Sequence, residues 1–163
     1  MTKVITPPDP ISTNNWWISK KTPSIFLAGS IEMDTAEEWQ DRAIKELSEF
    51  DIEIYNPRRK SWDSNINQSI DDPRFKEQVE WELKALENSS LIIIYFDPNT
   101  KSPISLLELG LFCRESNVIV CCPTGFWRKG NVDIVCHRYG VRVVETFEEL
   151  ISLVKSKIMT LEN

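Results

Sequence analysis

The sequence predicts an α/β domain: an open sheet of about five mostly parallel strands with helices packed on both faces. Three observations carry that prediction. Strand-like and helix-like segments alternate five times after residue 22, the pattern of successive strand–helix–strand units. The run "LIIIYF" at 91–96 is apolar at every position, as in a strand covered on both faces in the middle of a parallel sheet. Two strand candidates stop at residues that end extended runs, Gly29 and Pro57.

Residues 1–22 hold Pro, Asn and Thr without periodicity and read as an extended arm, leaving 23–163 as one domain. "SIFLAG" is a buried strand ending at Gly29. "TAEEWQDRAIKELSEF" is an amphipathic helix with Trp39, Ala43 and Leu47 inward, opened by a capping box of Thr35 and Glu38. "DIEIYNP" is the next strand. A long polar loop follows, from Arg58 to Pro73, of a length that is usually functional or disordered. "RFKEQVEWELKALENS" is a second helix, with Phe75, Val79, Leu83 and Leu86 expected inward. After "LIIIYF", the segment "SPISLLELGLFCRE" is a third helix with Ser102 as N-cap and Pro103 at its first position. "NVIVCCP", a short helix at Val132–His137 and the strand "VRVV" come next. The closing helix begins at a second capping box, Thr146 with Glu149. The whole is a flavodoxin-like order, and in such sheets ligands bind beyond the carboxyl ends of the strands. That singles out the loops Gly29–Asp34, Asn56–Pro73 and Asp97–Ser105.

The net charge of −6 favours solubility and weighs against non-specific nucleic-acid binding. No stretch approaches the ~20 apolar residues of a membrane span, and the first residues lack the apolar core of a signal peptide, so a cytoplasmic protein is expected. The four cysteines (Cys113, Cys121, Cys122, Cys136) show no CxxC spacing and read as reduced thiols. The same lack of paired ligands speaks against a metal site built from Cys121, Cys122, Cys136 and His137. No cofactor is implied: "LAGS" has neither G-x-G-x-x-G nor a Walker lysine.

One residue stands out. Glu108 sits inside "PISLLELGLF" with no Lys, Arg or His within five residues on either side. On a helix its neighbours one turn away include Ile104, Ser105, Leu111 and Phe112. A carboxylate flanked by apolar groups is costly to bury, and burial is what perturbs it for chemistry. Glu82 borders the apolar stripe of the second helix. Arg58 and Arg59 follow a strand end and could grip a phosphate or a base edge, with Trp62 nearby as a stacking face. Ala28, Gly29 and Ser30 form a small-residue turn that lets a ligand approach backbone N–H groups.

Together, "IFLAGSIEM", "NPRR" with Trp62 beyond it, "QVEWELKAL" and "FDPNTKSPISLLELGLF" resemble the nucleoside 2-deoxyribosyltransferase family, in its divergent second branch. "GFWRKGNVDIVC" continues the likeness. The resemblance implies a flavodoxin-like enzyme that exchanges the nucleobase of 2'-deoxyribonucleosides for salvage. Glu108 would be the nucleophile, forming a covalent deoxyribosyl-enzyme, with overall retention. Glu82 would serve the leaving base as general acid. Phe26, Gly29, Ser30, Asp97 and Ser102 would line the substrate site with Arg58, Arg59 and Trp62. Asn131 and Asp133 would be donated to a neighbouring subunit, so a homo-oligomer with shared active sites is implied. Its partners would be deoxynucleosides and free nucleobases, without nucleic acid or membrane. Phe26 stands where many relatives carry a Tyr that orients the catalytic Glu, which leaves Tyr95 or the glycine turn as candidates for that task. Ser102 stands where first-branch transferases often have Asp, and Ser is also found in relatives that hydrolyse nucleotides. Two other readings follow: a nucleoside 5'-monophosphate N-glycosidase, with Arg58 or Arg59 on the phosphate, and a non-catalytic nucleotide-sensing module.

Overall fold

The computed structural model describes residues 1–11, 22–31, 38–59, 65–115 and 117–161. Its centre is a sheet of six strands, all parallel: β1 (Lys3–Ile5), β2 (Ser24–Gly29), β3 (Glu53–Tyr55), β4 (Leu91–Tyr95), β5 (Val118–Cys121) and β6 (Arg142–Val144). Their order is β1-β3-β2-β4-β5-β6. From β2 the chain winds to one side through β3, then crosses back to β4 on the other. The connections leaving the carboxyl ends of β2 and β4 therefore part at the switch point, which opens a crevice.

Five helices cover the sheet: α1 (Trp39–Glu46), α2 (Pro73–Asn88), α3 (Pro103–Phe112), α4 (Lys129–Tyr139) and α5 (Phe147–Leu161). The all-apolar β4 explains why both faces are needed. Ile92, Ile94 and Phe96 enter the core beneath α2, α3 and α4, while Leu91, Ile93 and Tyr95 enter the core beneath α1 and α5. Trp39, Ala43 and Leu47 bury from the α1 side as their spacing predicts. The closing capping box also forms. The Thr146 hydroxyl accepts from the Glu149 N–H at 3.2 Å, and the Glu149 carboxylate accepts from the Thr146 N–H at 3.0 Å.

Three expectations are corrected. Residues 1–22 are more than an arm, because Lys3–Ile5 adds an edge strand in register with β3. Three residues are too few to show a period. The expected capping box of Thr35 with Glu38 lies outside the described residues on its Thr35 side; α1 opens at Trp39, with Glu38 in the N-cap position. α4 is longer than Val132–His137 and ends at Gly140, whose φ of +70° suits the left-handed C-cap. In α2 the buried residues are Gln78, Trp81, Ala85 and Leu86. Of the expected inward stripe only Leu86 is among them; Phe75, Val79 and Leu83 line a cleft instead. Among the described residues, the four cysteines are free and buried, no cluster of metal-ligating side chains occurs, and no helix is long and apolar enough to cross a membrane.

Candidate active site

The crevice is set by how closely β2 and β4 approach. Gly29 ends β2 with φ +137°, and a Cβ placed there would lie 2.3 Å from the Tyr95 carbonyl oxygen. Only glycine fits that position. The next residue, Ser30, is fully buried, and its N–H donates to the same carbonyl at 2.9 Å.

Ser30 belongs to a triangle of hydroxyls with Thr100 and Ser102, with edges of 2.8, 2.6 and 2.7 Å. The Ser30 oxygen also accepts from the Asp97 N–H at 2.8 Å, and the Thr100 hydroxyl donates to the Asp97 carbonyl at 2.9 Å. The triangle ties the end of β2 to the β4–α3 loop. Ser102 occupies the N-cap position of α3, as predicted, yet does not cap it. Its φ of +46° is left-handed, its side chain makes no capping bond, and its hydroxyl serves the triangle. Left-handed backbone at a non-glycine residue is strained and persists only where its surroundings fix it.

Next to this brace lies a cleft of about 390 Å³ between α2, α3 and the loop after β3. Its walls are mostly apolar, from Ile31, Phe75, Val79, Leu83, Ile104 and Leu107. Four charged residues among the described ones line it: Arg58, Arg59, Glu82 and Glu108. Glu108 is 8% exposed and has no hydrogen-bond or ion-pair partner among the described residues. Burial, with the Glu82 charge added to it, pushes its carboxyl up from 4.5 to about 8. Burial also raises Glu82, but there a hydrogen bond from Gln78 and the charge of Arg59 oppose the rise. The two carboxyls thus differ in kind. Glu82 is held by the Gln78 amide and the charge of Arg59; Glu108 is desolvated and bare.

Gln78 was not legible as a site residue, although it lies one turn before Glu82 at the spacing that brings helical side chains together. Its Nε2 donates to Glu82 at 2.6 Å and to the Pro57 carbonyl at 3.3 Å, while its Oε1 accepts from Arg59 Nε at 2.5 Å. Arg58 is anchored differently, through Gln40 at 3.2 Å and Glu38 at 3.9 Å. Gln40 and Thr100 likewise gave no sign of themselves in the sequence.

Several expected residues lie elsewhere. Phe26 is fully buried in the core beneath α2 and α3 and does not line the cleft. Gly29, Ser30, Asp97 and Ser102 are not among the residues that line the cleft. Tyr95 faces the opposite side of the sheet, stacked against Trp39 and Phe147, so it cannot orient Glu108. Asn131 and Asp133 are on α4 and do not line this chain's own cleft, as residues donated to a neighbouring subunit would not; Asp133 pairs with Lys129 at 3.2 Å. Trp62 lies outside the described residues.

A family model for nucleoside 2-deoxyribosyltransferase-like proteins matches residues 22–126, from the start of β2 to just before α4. The chain belongs to the nucleoside 2-deoxyribosyltransferase-like family. The matched span contains the two glutamates, both arginines, Gln78 and the hydroxyl triangle, while Asn131 and Asp133 fall outside it. A solved structure described as a conserved protein from Enterococcus faecalis V583 has the same fold. It shares 14% identity with this family member, covering 84% of this chain and 99% of that one at a TM-score of 0.61. No curated protein matches the chain.

Proposed function

We propose that the protein is a nucleoside 2'-deoxyribosyltransferase that exchanges nucleobases in cytoplasmic salvage through a deoxyribosyl-glutamate intermediate. The observation that carries this is the pair of carboxyls from separate helices facing one largely apolar cleft, one bare and one held by the Gln78 amide. Glu108 attacks the anomeric carbon of the deoxyribose, and the C–N bond to the base breaks as the new C–O ester bond forms. The base departs with a proton delivered from the carboxyl pair, through Glu82. A second base then attacks the ester from the vacated side, so two inversions give net retention. The apolar walls exclude water, which would otherwise hydrolyse the ester.

The test is chromatography of products from deoxyinosine or thymidine with free adenine or cytosine, using the wild type and Glu108→Ala. New deoxynucleoside that vanishes in the variant is the expected result. Binding of nucleoside without turnover in either protein would favour a sensing module instead. A second reading is favoured by Arg58 and Arg59, which both reach the cleft: hydrolysis of nucleoside 5'-monophosphates. Free base released faster from the monophosphate than from the nucleoside, without transfer, would select it.

We also propose a homo-oligomer. Ile104, Leu107 and Leu111 form a stripe on α3 exposed by 57, 60 and 56%, at the mouth of the cleft. Covering it with a second copy would enclose the site.

A further inference from the structure

A glutamine amide has one accepting and one donating end, and which end faces which neighbour decides what the neighbour must be. For Gln78 the neighbours settle the matter. Arg59 Nε can only donate, so it must meet Oε1; the Pro57 carbonyl can only accept, so it must meet Nε2. With both ends assigned, Nε2 presents a hydrogen to Glu82 Oε1 at 2.6 Å, and that oxygen must accept. Gln78 is itself buried, and both ends of its amide are engaged.

We propose that Gln78 is a positioning residue: locked by Arg59 and the Pro57 carbonyl, its amide holds Glu82 as the anion and leaves the one proton of the resting carboxyl pair on Glu108. This rests on the two-carboxyl chemistry proposed above and adds its proton inventory. The charged groups that face the pair are Arg58 and Arg59 from the loop after β3; α3 contributes none besides Glu108, and α2 none besides Glu82. Glu108 receives no hydrogen bond from any described residue, so nothing competes for its ionised form. Burial keeps it protonated at neutral pH, while the Gln78 hydrogen bond and the Arg59 charge on Glu82 spread the two titrations apart.

A protonated nucleophile is idle, so the resting state is a safety position. Turnover needs the proton to pass from Glu108 to the free oxygen of Glu82 and on to the departing base. Glu108 then gains the bond to the sugar, Glu82 is again the anion, and the base leaves neutral. One proton serves the whole step, with no external acid.

Infrared spectroscopy of the ligand-free protein tests this without requiring turnover. At pH 7 the wild type should show a protonated-carboxyl C=O band that disappears in Glu108→Gln. The band should return in the double variant Glu108→Gln/Gln78→Leu, where Glu82 has lost its donor. In kinetics, Gln78→Leu should move the acid limb of kcat/KM upward by about one pH unit, a tenfold change in proton affinity. If that variant does not fold, Arg59→Met removes the locking donor and should shift the limb in the same direction. A band that persists in Glu108→Gln with Gln78 intact would put the proton on Glu82 and overturn the inference. So would a Gln78→Leu protein that melts earlier but keeps the wild-type pH profile. An infrared result as expected in a protein with no turnover would sustain this inference and sink the proposed activity.

Discussion

Replacing Glu108 by Gln should stabilise the protein, and by an amount that depends on pH. In the folded chain the Glu108 carboxyl is raised from 4.5 to about 8, chiefly because burial strips its charge of water. A carboxyl raised in this way contributes fully below its unfolded value and progressively loses that contribution as pH climbs through its folded value. Between the two, unfolding releases a proton and is favoured by every rise in pH. At 1.36 kcal/mol per pH unit, the penalty in the wild type is under about 1 kcal/mol at pH 5, about 3 kcal/mol at pH 7, and levels off near about 5 kcal/mol above pH 9. Gln removes the titration and keeps the volume. Burying its amide adds a cost that does not vary with pH, so the diagnostic is the change in the difference between the two proteins. At pH 7 the penalty corresponds to roughly 6–12 °C in Tm for a domain of this size. Urea unfolding of both proteins at pH 5, 6, 7 and 8 reads the effect directly, with equal m-values as the check on two-state behaviour. A difference that is flat across that range would refute the reasoning, since it would mean that Glu108 titrates alike in both states.

Three further outcomes follow from the geometry. Gly29→Ala should destabilise by about 3 kcal/mol or more, because a Cβ 2.3 Å from the Tyr95 carbonyl forces β2 and β4 apart; near-wild-type stability in urea would contradict it. Thr146→Ala should cost about 1 kcal/mol by opening the capping box of α5, without changing any activity of the cleft; thermal melts alongside the base-exchange assay check both halves. Leu107→Glu places a charge in the exposed α3 stripe and should convert an oligomer to a monomer in light scattering; a wild type that is already monomeric at assay concentration would remove the stripe's assigned role.

Glu108 was legible because a carboxylate alone among apolar residues is a conflict of local chemistry that the chain must resolve somewhere. The parallel sheet was legible for a related reason, since a strand apolar at every position needs cover on both faces. β1 was not legible, because its three residues acquire meaning only once β3 is beside them. The helical period of α2 correctly announced an apolar stripe but could not say which surface it faced. Phe75, Val79 and Leu83 look like core and line a cleft, while Gln78, polar and outside that stripe, is buried. Ser102 shows the same limit at a cap: Ser before Pro marks where a helix starts, yet its hydroxyl was claimed by Ser30, 72 positions earlier. Contacts of that separation leave no trace in a local pattern.

That long-range claim has a mechanical consequence. Glu108 lies six residues along α3 from Ser102, which is about 9 Å of helix. The helix is hung from the sheet at one end by side-chain hydroxyls, and the carboxyl rides some way along the arm. A tilt of about 5° at the suspension point would carry the carboxyl sideways by about 0.8 Å, more than the ~0.5 Å within which a reacting group must be held. Aim is therefore set at the suspension, by residues that are not among those lining the cleft.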